Sequence, residues 1–198
     1  MNTRSKYYPL LTDLLKKPAF TTAEASKLGV PRHALAYFDK LGLLERVAKG
    51  IYRDPNYEGQ AEVALEDLAL AAFTTPNAAI CLISALDFYG LTDQIPREHW
   101  LAIPNSQRAP AHHLVRAVRM RNVTLGRIKV QIGEYELAMF DRERCIVDAF
   151  RYLSPEIAIK ALQAYLQAKD YKPNLQKLQE YAKKLRVNLT PYILSLTT

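Results

Sequence analysis

The stretch Thr21–Arg53, TTAEASKLGVPRHALAYFDKLGLLERVAKGIYR, is punctuated so closely that few backbones can accommodate it. Gly29 follows the helical run AEASKL, where a left-handed residue usually stops a helix. Pro31 stands where a first helical residue is expected, because its missing N–H costs nothing there. Gly42 closes the next run, and Lys49–Gly50 divides an alternating segment into two short strands. Thr22 is placed to cap the earlier helix, with Glu24 near its positive end. Upstream, Leu10, Leu11, Leu14 and Leu15 recur at helical spacing and predict a first helix ending near Pro18. Helix, turn, helix and basic hairpin is the order of a winged helix-turn-helix.

The helix from Pro31 to about Leu41 has two chemically different faces. Ala34, Leu35, Phe38 and Leu41 form the inward stripe, whereas Arg32, His33, Ala36, Tyr37 and Lys40 lie on the other side. A solvated face would carry mixed Glu and Lys; here Asp39 is the one acid, and small Ala36 lets a backbone approach. Arg32, His33, Tyr37 and Lys40 are therefore candidate major-groove contacts, with Arg46, Lys49 and Arg53 on the hairpin for phosphates. Winged helices also serve as protein–protein modules, but the basic outward face favours DNA.

Charge supports that reading through its distribution. The net charge of +7 and pI near 9.4 favour polyanionic partners. Residues 1–59 hold ten Lys/Arg against six Asp/Glu, residues 60–95 hold five acids and no Lys or Arg, and residues 96–130 hold seven bases and one acid. Two basic blocks flanking an acidic one make a directional field rather than a uniform coat. The second block contains Arg108, Arg116, Arg119, Arg121, Arg127 and Lys129, which would leave one sheet face or edge positive. They form a second basic surface, serving either to track phosphate or to protect an edge strand.

Past Pro55–Gln60 (PNYEGQ), the clearest loop, the pattern changes. AEVALEDLALAAF reads as a helix, and the apolar run from Pro76 to Gly90 as a second. HWLAIP, LVRAVRMRNV and GRIKVQI read as strands, with YELAMF a further candidate. Three helices are expected over Arg142–Leu153, Pro155–Ala168 and Asn174–Leu185. The fold class is thus α+β: a winged helix-turn-helix over 1–58, then a mixed α/β domain over 59–198 with a small antiparallel sheet and several helices.

Catalytic signatures are missing from the sequence. It has no glycine-rich phosphate loop and no GxSxG elbow. Adjacent His112 and His113 would point to opposite faces of a strand, and Glu134-x-Glu136 lacks the lysine a nuclease carboxylate pair needs. Asp87, Asp93, Asp141 and Asp148 are further candidates, but Asp148 lies four residues after Arg144 and suits a structural ion pair better than catalysis, and Ser84 suits a bond to a backbone carbonyl. Cys81 and Cys145 read as buried free thiols, without zinc-ligand spacing. The expectation is a non-enzyme without metal or cofactor. MNTRSKYYPLL lacks an apolar signal core, and no window approaches about 18 apolar residues. A cytoplasmic protein with no membrane partner follows.

FTTAEASKLGVPRHALAYFDKLGLLERVAKGIYR, then ISALDFYGLTDQIP, then FDRERCIVDAFRY, in that order, resembles the AbiEi family. These are antitoxins of type IV toxin–antitoxin (abortive-infection, phage-defence) systems. The resemblance runs from about Thr21 to Tyr152 and includes Ser84-Ala85-Leu86, Gly90-Leu91-Thr92 and Arg144-Cys145-Ile146-Val147-Asp148. Cys145 stands where the family commonly has Thr, and Tyr89 where it has His. The resemblance implies a winged helix that represses its own operon at inverted repeats in double-stranded DNA. It also implies a second domain that counters a nucleotidyltransferase-like cognate toxin without a stable complex. Separately, the chain is expected to be a monomer in solution. An alternative reading is a protein- or RNA-interaction module using the arginine-rich strand, with the winged helix as a general regulator.

Overall fold

Two consecutive threonines open the helix-turn-helix, and the first of them is the cap. In the computed structural model, which describes residues 6–58, 63–110 and 114–197, the Thr21 hydroxyl accepts from the Glu24 N–H at 3.2 Å. Glu24 Oε2 in turn accepts from the Thr21 N–H at 2.8 Å, completing a capping box. Thr22, expected as the cap, is instead the first helical residue, and its N–H donates to the Gly50 carbonyl at 2.8 Å. That bond ties the start of the helix to the hairpin turn.

The chain forms two compact units, one of Met1–Thr74 with Gln131–Glu136 and the other of Thr75–Val130 with Leu137–Thr198. The division expected between residues 58 and 59 falls inside the first unit's leading segment.

In the first unit a 3-10 turn, Tyr8–Leu11, leads into α1 (Thr12–Leu15). Then come β1 (Phe20–Thr21), α2 (Thr22–Lys27), α3 (Arg32–Lys40), β2 (Glu45–Ala48), β3 (Ile51–Arg53) and α4 (Val63–Phe73). Pro31 is the N-cap of α3, one residue earlier than its expected place inside the helix. The three strands form an antiparallel sheet in the order β1-β3-β2, with Phe20 opposite Tyr52 and Thr21 opposite Ile51. Ala34, Leu35 and Phe38 are buried with Leu11, Phe20, Val30 and Leu44. Leu41, expected in that stripe, is 48% exposed because it is the C-cap, where the helical phase has ended. Burying each large apolar side chain here stabilises the unit by about 1.5–3 kcal/mol before entropy is counted.

The second unit is organised around a sheet of β4 (Ala79–Ile80), β5 (His99–Pro104), β6 (Val115–Met120), β7 (Arg127–Ile132) and β8 (Tyr135–Phe140), in the order β6-β5-β4-β8-β7. The tip of the β7–β8 hairpin, Gln131–Glu136, belongs to the first unit. The run Pro76–Gly90, expected as one helix, divides into β4 and α5 (Leu82–Phe88). A continuously apolar run suits a doubly covered strand as well as a buried helix, so its pattern could not separate the two.

The expected antiparallel sheet is mixed. β4 runs antiparallel to β5 but parallel to β8, and β5 runs parallel to β6. Parallel neighbours require a return of the chain rather than a tight hairpin: residues 105–114 separate β5 from β6, and β5, β6 and β7 all intervene between β4 and β8. Four helices complete the unit: α6 (Arg142–Tyr152), α7 (Pro155–Gln167), α8 (Leu175–Leu185) and α9 (Thr190–Thr197). The last of these was not anticipated.

The hub of this unit is Arg144, with no exposed surface. Its Nε donates to Asp148 Oδ2 at 2.6 Å, Nη1 to the Leu125 carbonyl at 2.9 Å and Nη2 to the Asn122 carbonyl at 3.0 Å. One helical side chain thereby satisfies the carbonyls of the segment that carries the chain from one sheet edge to the other. The ion pair with Asp148 matches the reading of RERCIVDAF. Cys81 and Cys145 are buried free thiols, whose pKa values burial pushes up. The Cys145 thiol and the Tyr89 hydroxyl both donate to the Phe140 carbonyl, at 3.4 and 3.0 Å.

Candidate nucleic-acid interface

Helix α3 is nine residues long and buries only one side, so its remaining residues face solvent. Arg32, His33, Ala36, Tyr37 and Lys40 are all exposed, and Tyr37 keeps 55% of its surface. For a ring of that size not to be buried is informative, since aromatic side chains usually supply core area. His33 sits edge-on to the Tyr7 ring at 6.5 Å, which orients it without covering it.

Asp39, the one acid of this helix, is spent on structure: its Oδ1 accepts the Arg46 N–H at 3.2 Å. The bond fixes the first wing strand to the helix and draws the carboxylate away from the basic row. Gly50 holds φ +77° at the wing turn, and a Cβ there would lie 3.2 Å from Thr22 Oγ1. The wing is therefore fastened at both ends, to α2 through Thr22 and to α3 through Asp39. Asp39 was visible as the odd acid in the sequence, but its partner was not, because the two lie seven residues apart on different elements.

On the wing, Arg46 and Lys49 are exposed. Arg53 differs: its Nε donates to Glu45 Oε2 at 2.6 Å, a bond that raises the already high pKa of the guanidinium. It braces the two wing strands, where Glu45 pairs opposite Arg53. Of the seven expected contacts, six therefore present solvent-facing side chains and Arg53 is engaged within the sheet.

The second basic set does not form one strip. Arg116, Arg119 and Arg121 lie on or just past β6, at one edge of the five-stranded sheet, while Arg127 and Lys129 lie on β7 at the other. Register divides the first group again: Arg116 pairs with Trp100 and Arg119 with Ile103, an odd separation that puts the two on opposite faces. Arg127 is structural, donating to the Asn77 and Ala78 carbonyls at 3.0 and 2.9 Å. Arg108 is exposed in the loop after β5. The Arg116 guanidinium lies 4.2 Å from the Trp100 ring centroid and 3.4 Å from Glu98, a stacking that sequence spacing did not reveal.

Ser84, Asp141, Asp93 and Glu134, considered for catalysis, have structural partners. Ser84 Oγ accepts from the Trp100 N–H at 2.9 Å and donates to the Glu98 carbonyl. Asp141 caps α6 and accepts from the Tyr181 hydroxyl at 3.1 Å. Asp93 lies 3.7 Å from Lys160, and Glu134 accepts from the Tyr57 hydroxyl at 2.7 Å. His112 and His113 fall outside the described residues. Among the described residues no group of three or more His, Cys, Asp or Glu is placed to hold a metal ion. No helix among them is long and apolar enough to cross a membrane.

Two helices at a tight turn, the second exposed and basic, backed by a three-stranded wing, define a winged helix-turn-helix module. Residues 10–53, the span from the 3-10 turn to the last wing strand, match the family model described as a transcriptional regulator, AbiEi antitoxin. The family recognised from the sequence is thus the one whose model this segment fits. The fold is also similar to the crystal structure of the RV2827C protein from Mycobacterium tuberculosis, with a TM-score of 0.56 and 14% identity, over 90% of this chain and 72% of that one. None of the curated proteins compared with this chain matches it.

Proposed function

We propose that this chain is a DNA-binding repressor of its own operon and the antitoxin of a type IV toxin–antitoxin system. The observation that carries the proposal is the exposed row Arg32, His33, Tyr37 and Lys40 on α3, beside a fastened wing bearing Arg46 and Lys49. In such modules the second helix enters the major groove and phosphate contacts fix its register. Arg32 pairs with a guanine edge, Tyr37 and Lys40 reach bases or backbone, and Lys49 grips a phosphate at the wing tip. Ala36 lets α3 sit deep in the groove. Inverted repeats are the operator form that suits a monomer in solution binding one copy per half-site.

The antitoxin half rests on the family matched by residues 10–53, one of regulators and antitoxins. The second unit counters a nucleotidyltransferase-like toxin without a stable complex. The test has two arms. In gel-shift titrations with DNA from upstream of the gene, an Arg32→Ala, Lys40→Ala double variant loses operator binding; undiminished affinity sinks the groove assignment. In a growth assay, the chain rescues cells expressing a neighbouring nucleotidyltransferase, and failure to rescue removes the antitoxin half alone.

A further inference from the structure

Strand β6 ends the sheet, and among the described residues its main chain is committed on one side only. The His99 N–H donates to the Leu114 carbonyl at 2.6 Å. With His99 opposite Val115, this bond sets the phase of a parallel ladder. The backbone groups of Arg116, Val118 and Met120 then serve β5, and those of Val115, Ala117 and Arg119 point away from it. Among the described residues no backbone bond reaches these three outward positions. Six residues of unpaired edge form a template for another strand.

The side chains along that edge say what kind of strand fits. Arg119 and Arg121 are exposed, and neither is in a salt bridge among the described residues. On the opposite face, Arg116 is already held by Trp100 and Glu98. That face also opens on a mixed groove of about 810 Å³, in which Ile83, Ile95, Trp100 and Tyr152 stand among polar residues that include Arg97 and Glu98. Ile95 is 88% exposed and Tyr152 39%. One side of the edge thus asks for carboxylates, and the other offers the exposed Ile95 and Tyr152 to apolar side chains within a groove that already holds the acid Glu98.

Two other occupants fit less well. A second copy of β6 would set arginines against arginines, and like charges across a pair of strands are destabilising. A nucleic-acid backbone brings phosphate acceptors but, at most, scattered ribose hydroxyls as donors for the outward carbonyls, and it cannot serve arginines on both faces at once.

We propose that the β6 edge takes an extended, acidic–apolar alternating peptide segment of a partner protein as a sixth strand. Its carboxylates meet Arg119 and Arg121, and its apolar side chains enter the groove beside Trp100. Backbone pairing supplies affinity and the alternating faces supply specificity. This surface belongs to the second unit and is independent of operator recognition by α3.

The test is a fluorescence-anisotropy titration of the full chain with a fluorescein-labelled peptide of alternating Glu and Leu, about eight residues long. Two further probes carry N-methyl groups on alternate amides, one set for each edge of the peptide. The unmodified probe binds, one methylated probe loses about tenfold or more in affinity, and the other retains it. Because these probes leave the protein unchanged, the result does not depend on a variant folding. Ala117→Pro loses the same binding while its circular dichroism and its operator binding stay as in the parent. The proposal is overturned by any of three results: no binding, undiminished binding of both methylated probes, or tighter binding of a single-stranded RNA of equal charge.

Discussion

The Arg144 guanidinium and the Asp148 carboxylate meet at 2.6 Å, with neither side chain exposed. Asp148 uses its other oxygen to accept from Arg151 Nη1, also at 2.6 Å. Removing one member strands the other charge in a fully buried site, which typically costs about 3–5 kcal/mol. Asp148→Ala should therefore lower the denaturation midpoint sharply. A midpoint within experimental error of the parent would contradict the hub role assigned to this pair.

Gly126 lies in the crossing segment that Arg144 holds. Its φ is +70°, and a Cβ built there would come within 2.7 Å of Arg144 Cβ and 3.1 Å of both Asp141 Oδ1 and Tyr181 Cε2. The Arg144 Cβ cannot swing aside, because it sits on the first turn of α6. Gly126→Ala should destabilise by about 1–3 kcal/mol through overpacking with added backbone strain. Thermal unfolding measures it, and Gly90→Ala, at φ +65° with nothing within 4 Å of an added Cβ, provides the control for backbone strain alone.

The helix-turn-helix was legible because its breaks are local. Gly29, Pro31, Gly42 and Gly50 act through their own φ angles, so each boundary could be read from single residues. The second unit was harder because its determinants are distant in sequence. Arg127 looked like one more surface cation, yet its work is to bind carbonyls about 50 residues upstream. Strand β4 was hidden inside an apolar run, and the split of the arginines between two edges follows from strand order, which periodicity does not encode. The exposed row on α3 could be seen in advance, since a helical wheel separates it from Ala34, Leu35 and Phe38.

The capping box has a pH signature. Burial alone would raise the Glu24 carboxyl, but bonds from Lys17 and from the Thr21 backbone and hydroxyl outweigh it and hold the pKa below the usual value. The unfolded chain titrates near about 4.3. The stabilisation is therefore present above that value and lost as pH falls through the folded-state value. Thr21→Ala should cost about 1 kcal/mol at neutral pH. Glu24→Gln should flatten the acid side of the stability profile, as urea titrations from neutral to acid pH would reveal.

Operator binding should separate reading from gripping. Arg32→Ala is expected to cost about 1–3 kcal/mol and to relax preference at one base pair. Lys49→Ala should weaken all sequences alike and lower the log–log salt slope by about 0.9. Arg53→Ala should leave the slope unchanged, because its charge is already met by Glu45 at 2.6 Å. A slope reduced equally by Lys49→Ala and Arg53→Ala would refute that distinction.

The Gln131–Glu136 tip has a practical consequence for dissecting the protein by truncation. A recombinant fragment ending at Thr74 would omit Glu134, which accepts the Tyr57 hydroxyl, and Tyr135, whose ring packs 5.4 Å from Phe73. Cutting the gene at one codon cannot deliver the whole N-terminal unit. Loss of activity in such a piece would report a missing hairpin as readily as a missing function.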